Sequence, residues 1–122
     1  MVRSLNSTVE LTANATWFRG MPNYGKVMLG DKAFEYYNDK NVGDYVQIPW
    51  EEITYVIADV HFNGRYIPRF EIRTKKNGNF IFNTKDPKKT LRVMRNHIPA
   101  DHMRRALSVG QKLKQRFTFK KK

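Results

Sequence analysis

Two adjacent carboxylates, Glu51 and Glu52, stand in the stretch Gln47 to Val56, QIPWEEITYV, between a tryptophan and a β-branched apolar run. A carboxylate pair held in two different environments can divide general acid and general base work between its members. Neighbouring residues of an extended strand, however, point to opposite faces, so this pair does not converge on one substrate. Pro49 turns the chain, Trp50 and Ile53 are expected as apolar anchors, and the acids read as the start of a strand.

Gly20 to Val27, GMPNYGKV, comes within one residue of the phosphate-binding loop G-x-x-x-x-G-K-[ST]. That loop cradles phosphates with its amides and meets magnesium with its hydroxyl. Val27 has no hydroxyl, and a strand pattern follows where the motif needs a helix N-terminus. Pro99 separates His97 from His102 and breaks the spacing that would aim both at one metal, while His61 stands alone. The absence of cysteine excludes disulfides, thiolate metal sites and cysteine nucleophiles. No catalytic residue, metal or cofactor is assigned, and a noncatalytic protein is expected.

Charge is the stronger signal. The chain of 122 residues carries a formal +12. Residues 1–84 hold 10 Lys and Arg against 9 Asp and Glu, whereas residues 85–122 hold 13 against 2. Such a field attracts polyanions, whether a membrane surface, nucleic acid or an acidic protein face. No apolar run is long enough for a membrane span, and MVRSLNSTVEL lacks a secretion signal, so a cytoplasmic protein is expected, peripheral at the inner membrane face if lipid is the polyanion.

The elements that would position these groups follow from periodicity. STVELTANATW alternates, with Val9, Leu11, Ala13, Ala15 and Trp17 on one face and small polar groups on the other. RGMPNYG reads as a Gly/Pro loop, KVMLG and KAFEYY as strands around a turn at Gly30-Asp31, NDKNVGD as a loop, and YVQI as a strand. ITYVIADVHF, RYIPRFEIRTK and NFIFNT form a meander joined by turns at Asn63-Gly64 and Lys76 to Gly78. About seven strands thus precede any helix. In KDPKKTLRVMRNHIP, Asp86 can cap and Pro87 can open a helix, Leu91, Met94 and Ile98 share its buried face, and Lys88, Arg92 and Arg95 line the other side. A second basic helix is expected from about Ala100, with Met103, Ala106, Leu107, Gly110 and Leu113 on one face and Arg104, Arg105, Lys112, Lys114 and Arg116 on the other.

The fold class expected is mainly β within α+β: a seven-stranded antiparallel sandwich or partly open barrel capped by a C-terminal helix, a short second helix following. Residues 1–98 form the module with its capping helix, and residues 99–122 the basic helix and tail. IPWEEITYVIADV, the FEIRTKKNGNFIF hairpin and the TKDPKKTLRVMRNHI helix resemble the pleckstrin-homology-like modules of bacteria. Along essentially its full length the chain also resembles the ManO family, small proteins of unknown function encoded beside mannose-type phosphotransferase system permeases in Gram-positive bacteria. YGKVMLGDKAFEYYND, VQIPWEE and RTKKNGNFIFNTKDPKKTLR carry that likeness. It implies a context and no active site.

Two functions remain. The first is a noncatalytic adaptor or regulator that binds the permease, or anionic membrane beside it, through Lys88, Arg92, Arg95, Arg104, Arg105 and Lys112. The second is a nucleic-acid-binding regulator using the same surface. Phe18, Met21 and Tyr24 in the Gly/Pro loop, and Tyr66 between Arg65 and Arg69, are candidate contact loops. Sheet edges can pair between subunits, so a homodimer is a further expectation.

Overall fold

The first strand, β1 (Val9–Arg19), is long because small and apolar side chains alternate along it, letting it pair on two sides. It runs antiparallel to β2 (Met21–Gly30) along nearly its whole length but to β7 (Asn79–Thr84) only from Ala15 to Phe18. The computed structural model describes residues 2–106. In chain order the remaining elements are β3 (Ala33–Asn38), β4 (Tyr45–Pro49), β5 (Ile53–His61), β6 (Tyr66–Thr74), β7 (Asn79–Thr84), α1 (Pro87–Met94) and β8 (Met103–Ala106). Single 3-10 turns at Trp50–Glu52 and Ala100–His102 lead into β5 and β8. The strands form one eight-stranded sheet in the order β4-β3-β2-β1-β7-β6-β5-β8. All neighbours are antiparallel except β5 and β8.

The mainly β, α+β class is what the sequence implied, with three corrections. RGMPNYG is not a loop: Gly20 alone makes the turn at φ 80°, and β2 begins at Met21. Pro22 fits there because β3 pairs with β2 only from Gly25 onward, leaving an edge that asks for no amide. Second, Met103–Ala106 is a strand rather than the start of a helix, since it finds the open edge of β5. The rest of that expected helix lies outside the described residues. Third, the sheet therefore has eight strands rather than seven.

One face of the sheet is the core: Val27, Leu29, Phe34, Tyr36, Val56, Phe70, Ile72 and Phe82 are buried, α1 adds Met94, and the turn after it adds Ile98. As expected, Trp50 and Ile53 are buried anchors, with the Trp50 indole donating to the Gly30 carbonyl at 2.9 Å. Asp86 caps α1, accepting from the Lys89 amide at 3.3 Å, with Pro87 at the first helical position.

The opposite face holds an unexpected burial. Glu35 lies in register with Met28 and Gln47 on the outer side of β2, β3 and β4, yet it is fully buried. The N-terminal residues 3–8 cross over it as a strap. Its carboxyl group accepts from the Ser4 hydroxyl (2.5 Å), the Leu5 amide (2.7 Å), Asn6 Nδ2 (3.3 Å) and Gln47 Nε2 (3.1 Å). Asn6 also receives the amides of Lys32 and Ala33, and Asp31 receives those of Ser7 and Thr8. Gly30 permits the crossing, because a Cβ there would sit 2.2 Å from the Thr8 carbonyl oxygen. Removing the carboxyl takes away the acceptor of the Ser4 hydroxyl and the Leu5 amide, whereas Asn6 and Gln47 keep the Ala33 and Arg3 carbonyls. Glu35→Ala is therefore expected to cost about 3 kcal/mol in urea unfolding and to speed amide exchange at Ser7 and Thr8. A loss below about 0.5 kcal/mol would show that the strap is held elsewhere.

Candidate functional site

The C-terminal cations begin on α1. Leu91, Met94 and Ile98 face the core as their spacing requires, which turns Lys88, Arg92 and Arg95 to solvent. Arg92 also lies in the last turn, where the helix dipole favours a cation. Arg104 and Arg105 do not extend this stripe along a second helix. They alternate on β8, in register with Ile57 and Ala58. Arg104 Nε donates to the Asp101 carbonyl at 3.2 Å and its guanidinium lies 5.6 Å from the Tyr55 ring centre. Lys112 lies outside the described residues.

The carboxylates of the sheet are already engaged. Asp59 meets His61 (2.9 Å) and Arg69 (3.3 Å), Asp44 meets Arg19 (2.6 Å), Glu71 meets Arg73 (3.5 Å) and Glu10 meets His97 (2.7 Å). Lys88, Arg92, Arg95, Arg104 and Arg105 have no carboxylate within ion-pair distance among the described residues. Glu51 and Glu52 sit in the 3-10 turn rather than on the strand start, because Trp50 must drop into the core first. Neither acid has a side-chain partner among the described residues, and Glu51 is exposed.

The two contact loops are not brought together. Phe18, Met21 and Tyr24 are exposed on the arms of the β1–β2 hairpin, not in a loop. Phe18 is level with Ile81 and hence with Glu71 of β6, five residues from Tyr66. The patches are thus about 17 Å apart along the strands. Arg65 and Tyr66 remain exposed, while Arg69 is paired with Asp59. Phe62, 74% exposed and next to Tyr66 with ring centres 6.5 Å apart, is a member that the sequence did not reveal. Its φ of 53°, followed by Asn63 at 56° and Gly64 at 89°, is imposed by the tight turn.

The histidines are scattered. His97 stacks on Trp50, ring centres 4.6 Å apart and nearly parallel, and so joins the end of α1 to the β4–β5 corner. His102 lies against Tyr55 instead. Lys26 and Val27 of the phosphate-loop-like stretch are on β2, with Val27 fully buried. At the other end of the core Arg19, held by Asp44, lies 4.2 Å over the Trp17 ring and covers it. No helix among the described residues is long and apolar enough to cross a membrane.

A family model described as "Domain of unknown function (DUF956)" matches residues 1–117. Among solved structures, the chain is similar to the crystal structure of the C-terminal domain of an unknown protein from Leishmania infantum. The TM-score is 0.64 at 13% identity, covering 74% of this chain and 83% of that one, a likeness of fold alone. No curated protein matches.

Among the described residues, Asp31, Tyr36 and Tyr37 tie stability to pH. Backbone amides, Thr8's above all, hold the Asp31 carboxyl below its ordinary 3.8. Burial raises the phenols of Tyr36 and Tyr37 above their ordinary 10.0. A lowered acid stabilises the fold above its unfolded value and ceases to as pH falls through its folded one; a raised phenol stabilises below its unfolded value and ceases to as pH rises. In thermal midpoints, Asp31→Asn should shrink the loss below pH 3.8, and Tyr37→Phe the loss above pH 10.0. Unchanged limbs in both variants would contradict the assignment.

Proposed function

The chain belongs to the DUF956 family, and we propose that it is a noncatalytic adaptor or regulator that docks on an anionic membrane face or on a mannose-type phosphotransferase permease embedded in it. The observation that supports this reading is the partition of charge. The sheet's acids are engaged with one another's neighbours, whereas Lys88, Arg92 and Arg95 stand exposed on one side of a helix whose other side is locked to the core. Each such cation near an anionic surface contributes about 1 kcal/mol of attraction, falling off within a Debye length. The resemblance of YGKVMLGDKAFEYYND and RTKKNGNFIFNTKDPKKTLR to the ManO family supports the permease as the partner. We read the fold as pleckstrin-homology-like, a folded sheet closed at one end by a C-terminal helix, a scaffold suited to presenting loops and one helix face.

Vesicle co-sedimentation at physiological salt tests the reading, comparing anionic lipid alone with the same lipid carrying the reconstituted permease. Binding that requires the permease is expected, and the triple variant Lys88→Glu, Arg92→Glu, Arg95→Glu should abolish it with the thermal midpoint nearly unchanged. Binding to bare anionic lipid, lost in the same variant, would leave the membrane as the partner. No sedimentation with either vesicle, together with tight and salt-sensitive binding to random duplex DNA, would replace this reading by the nucleic-acid one.

A further inference from the structure

The small polar face of β1 has a consequence of its own. Thr12, Asn14 and Thr16 face outward, and around them lie two adjoining depressions of about 400 Å³ and 490 Å³, both lined by Asn14 and Lys85. These volumes fall in the range of small-ligand sites, about 300–1,000 Å³. The first is bounded by Lys26, Lys85 and Lys89, the second by Tyr24, Asn83 and again Lys85. Together they form an open trench between β2 and the start of α1, floored by Thr12, Asn14 and Thr16 with Leu11, Ala13 and Ala15 between them, and with Lys26, Lys85 and Lys89 along its walls.

Two carboxylates border the trench, and both are committed. Asp86 accepts from the Lys89 amide as the helix cap, and Asp39 lies 3.9 Å from Lys26 in a solvent-exposed pair of small worth. Lys85 and Lys89 have no carboxylate within ion-pair distance among the described residues. The backbone adds a second, independent feature. The β1–β7 ladder ends where the Lys85 amide donates to the Asn14 carbonyl at 2.9 Å. Two residues earlier Thr12 presents its amide and carbonyl in the same direction, with no strand beside it. A backbone donor, short polar side chains and several ammonium groups around an open cavity are the chemistry that binds a doubly charged oxyanion.

We propose that the trench over Thr12, Asn14 and Thr16 is a binding site for a phosphate monoester, with Lys26, Lys85 and Lys89 supplying the charge. A monoester carries nearly two negative charges at neutral pH, which three lysines lining one trench favour over the single charge of a diester. The trench is open on top, so the ester's remainder is free to be either a small soluble molecule or the tail of a lipid. This goes beyond the docking reading, since the trench shares no residue with Lys88, Arg92 and Arg95.

The test uses the full chain and two probes with one headgroup. Glycerol 3-phosphate is titrated by amide NMR, and vesicles of phosphatidic acid are compared in co-sedimentation with phosphatidylglycerol vesicles of equal surface charge. Saturable shifts confined to residues 12–16 and 85–89, with affinity about tenfold weaker in the double variant Lys85→Met, Lys89→Met, support the site and a soluble ligand. Preferential binding to phosphatidic acid, lost in that variant but kept in Arg92→Met with Arg95→Met, supports the site and a lipid ligand. Shifts scattered over the surface, equal binding to both lipids, indifference to the lysine variant, or no binding of either probe would each overturn it.

Discussion

The rings of Phe34 and Phe70 meet edge to face with centres 6.3 Å apart, although their strands, β3 and β6, stand four places apart in the sheet. In a flat sheet that separation would be about 19 Å. The sheet must therefore fold onto its apolar face, and burial of Phe34, Tyr36, Phe70 and Phe82 against one another supplies the driving force. The other features follow as consequences. β1 has to serve both halves, pairing with β2 throughout and with β7 only near its end, and Ala13 and Ala15 keep its inner face thin. Folding leaves two open ends, one closed by Met94 of α1 and Ile98 after it, the other by Trp17 beneath Arg19. It also leaves the edge of β5, which β8 covers.

Much of this was legible because inside and outside alternate on a strand. Val27 and Leu29, Phe34 and Tyr36, and Phe70 and Ile72 announce their strands, and Asp86-Pro87 and Asn63-Gly64 mark a helix start and a turn by local chemistry. What was not legible depended on partners distant in sequence. Met103–Ala106 is too short for a period to decide, and pairing with β5 settles it. Pro22 looked like a strand breaker because nothing local says that its edge of β2 is unpaired. Glu35 alternates with the core residues Phe34 and Tyr36 and so lies on the outer face, and only the strap, with Ser4 lying 31 positions away, buries it. Of the candidate residues, the helix stripe was readable from spacing, whereas the split between the Phe18 and Tyr66 patches required the register of four strands.

The composition alone shows an excess of positive charge, and the fold sorts it. Cations of the sheet sit beside carboxylates, Arg69 with Asp59 across the β5–β6 pair and Arg19 with Asp44 of the loop before β4, and serve mainly to fix local geometry. The strap consumes two further acids without any cation, Glu35 and Asp31 being satisfied by neutral donors. Few acids remain to neutralise the C-terminal third. The uncompensated charge is thus a by-product of how the strap and hairpins are held as well as of the basic sequence itself.

That charge is divided again by α1. Lys88, Arg92 and Arg95 lie on one stripe, whereas Lys89 is about 100° around the helix and joins Lys85 over β1. A stripe on a convex helix meets a flat or extended surface, where each cation acts separately and salt weakens all alike. Lysines around a concavity are placed differently: a single compact anion there would meet several of them at once, with hydrogen bonds added to charge. The eight-residue helix can present both because Leu91 and Met94, with Ile98 just beyond its end, fix its rotation against the core. A change in that packing would move Lys89 together with Lys88 and Arg92, so the core contacts of α1 set the place of all three.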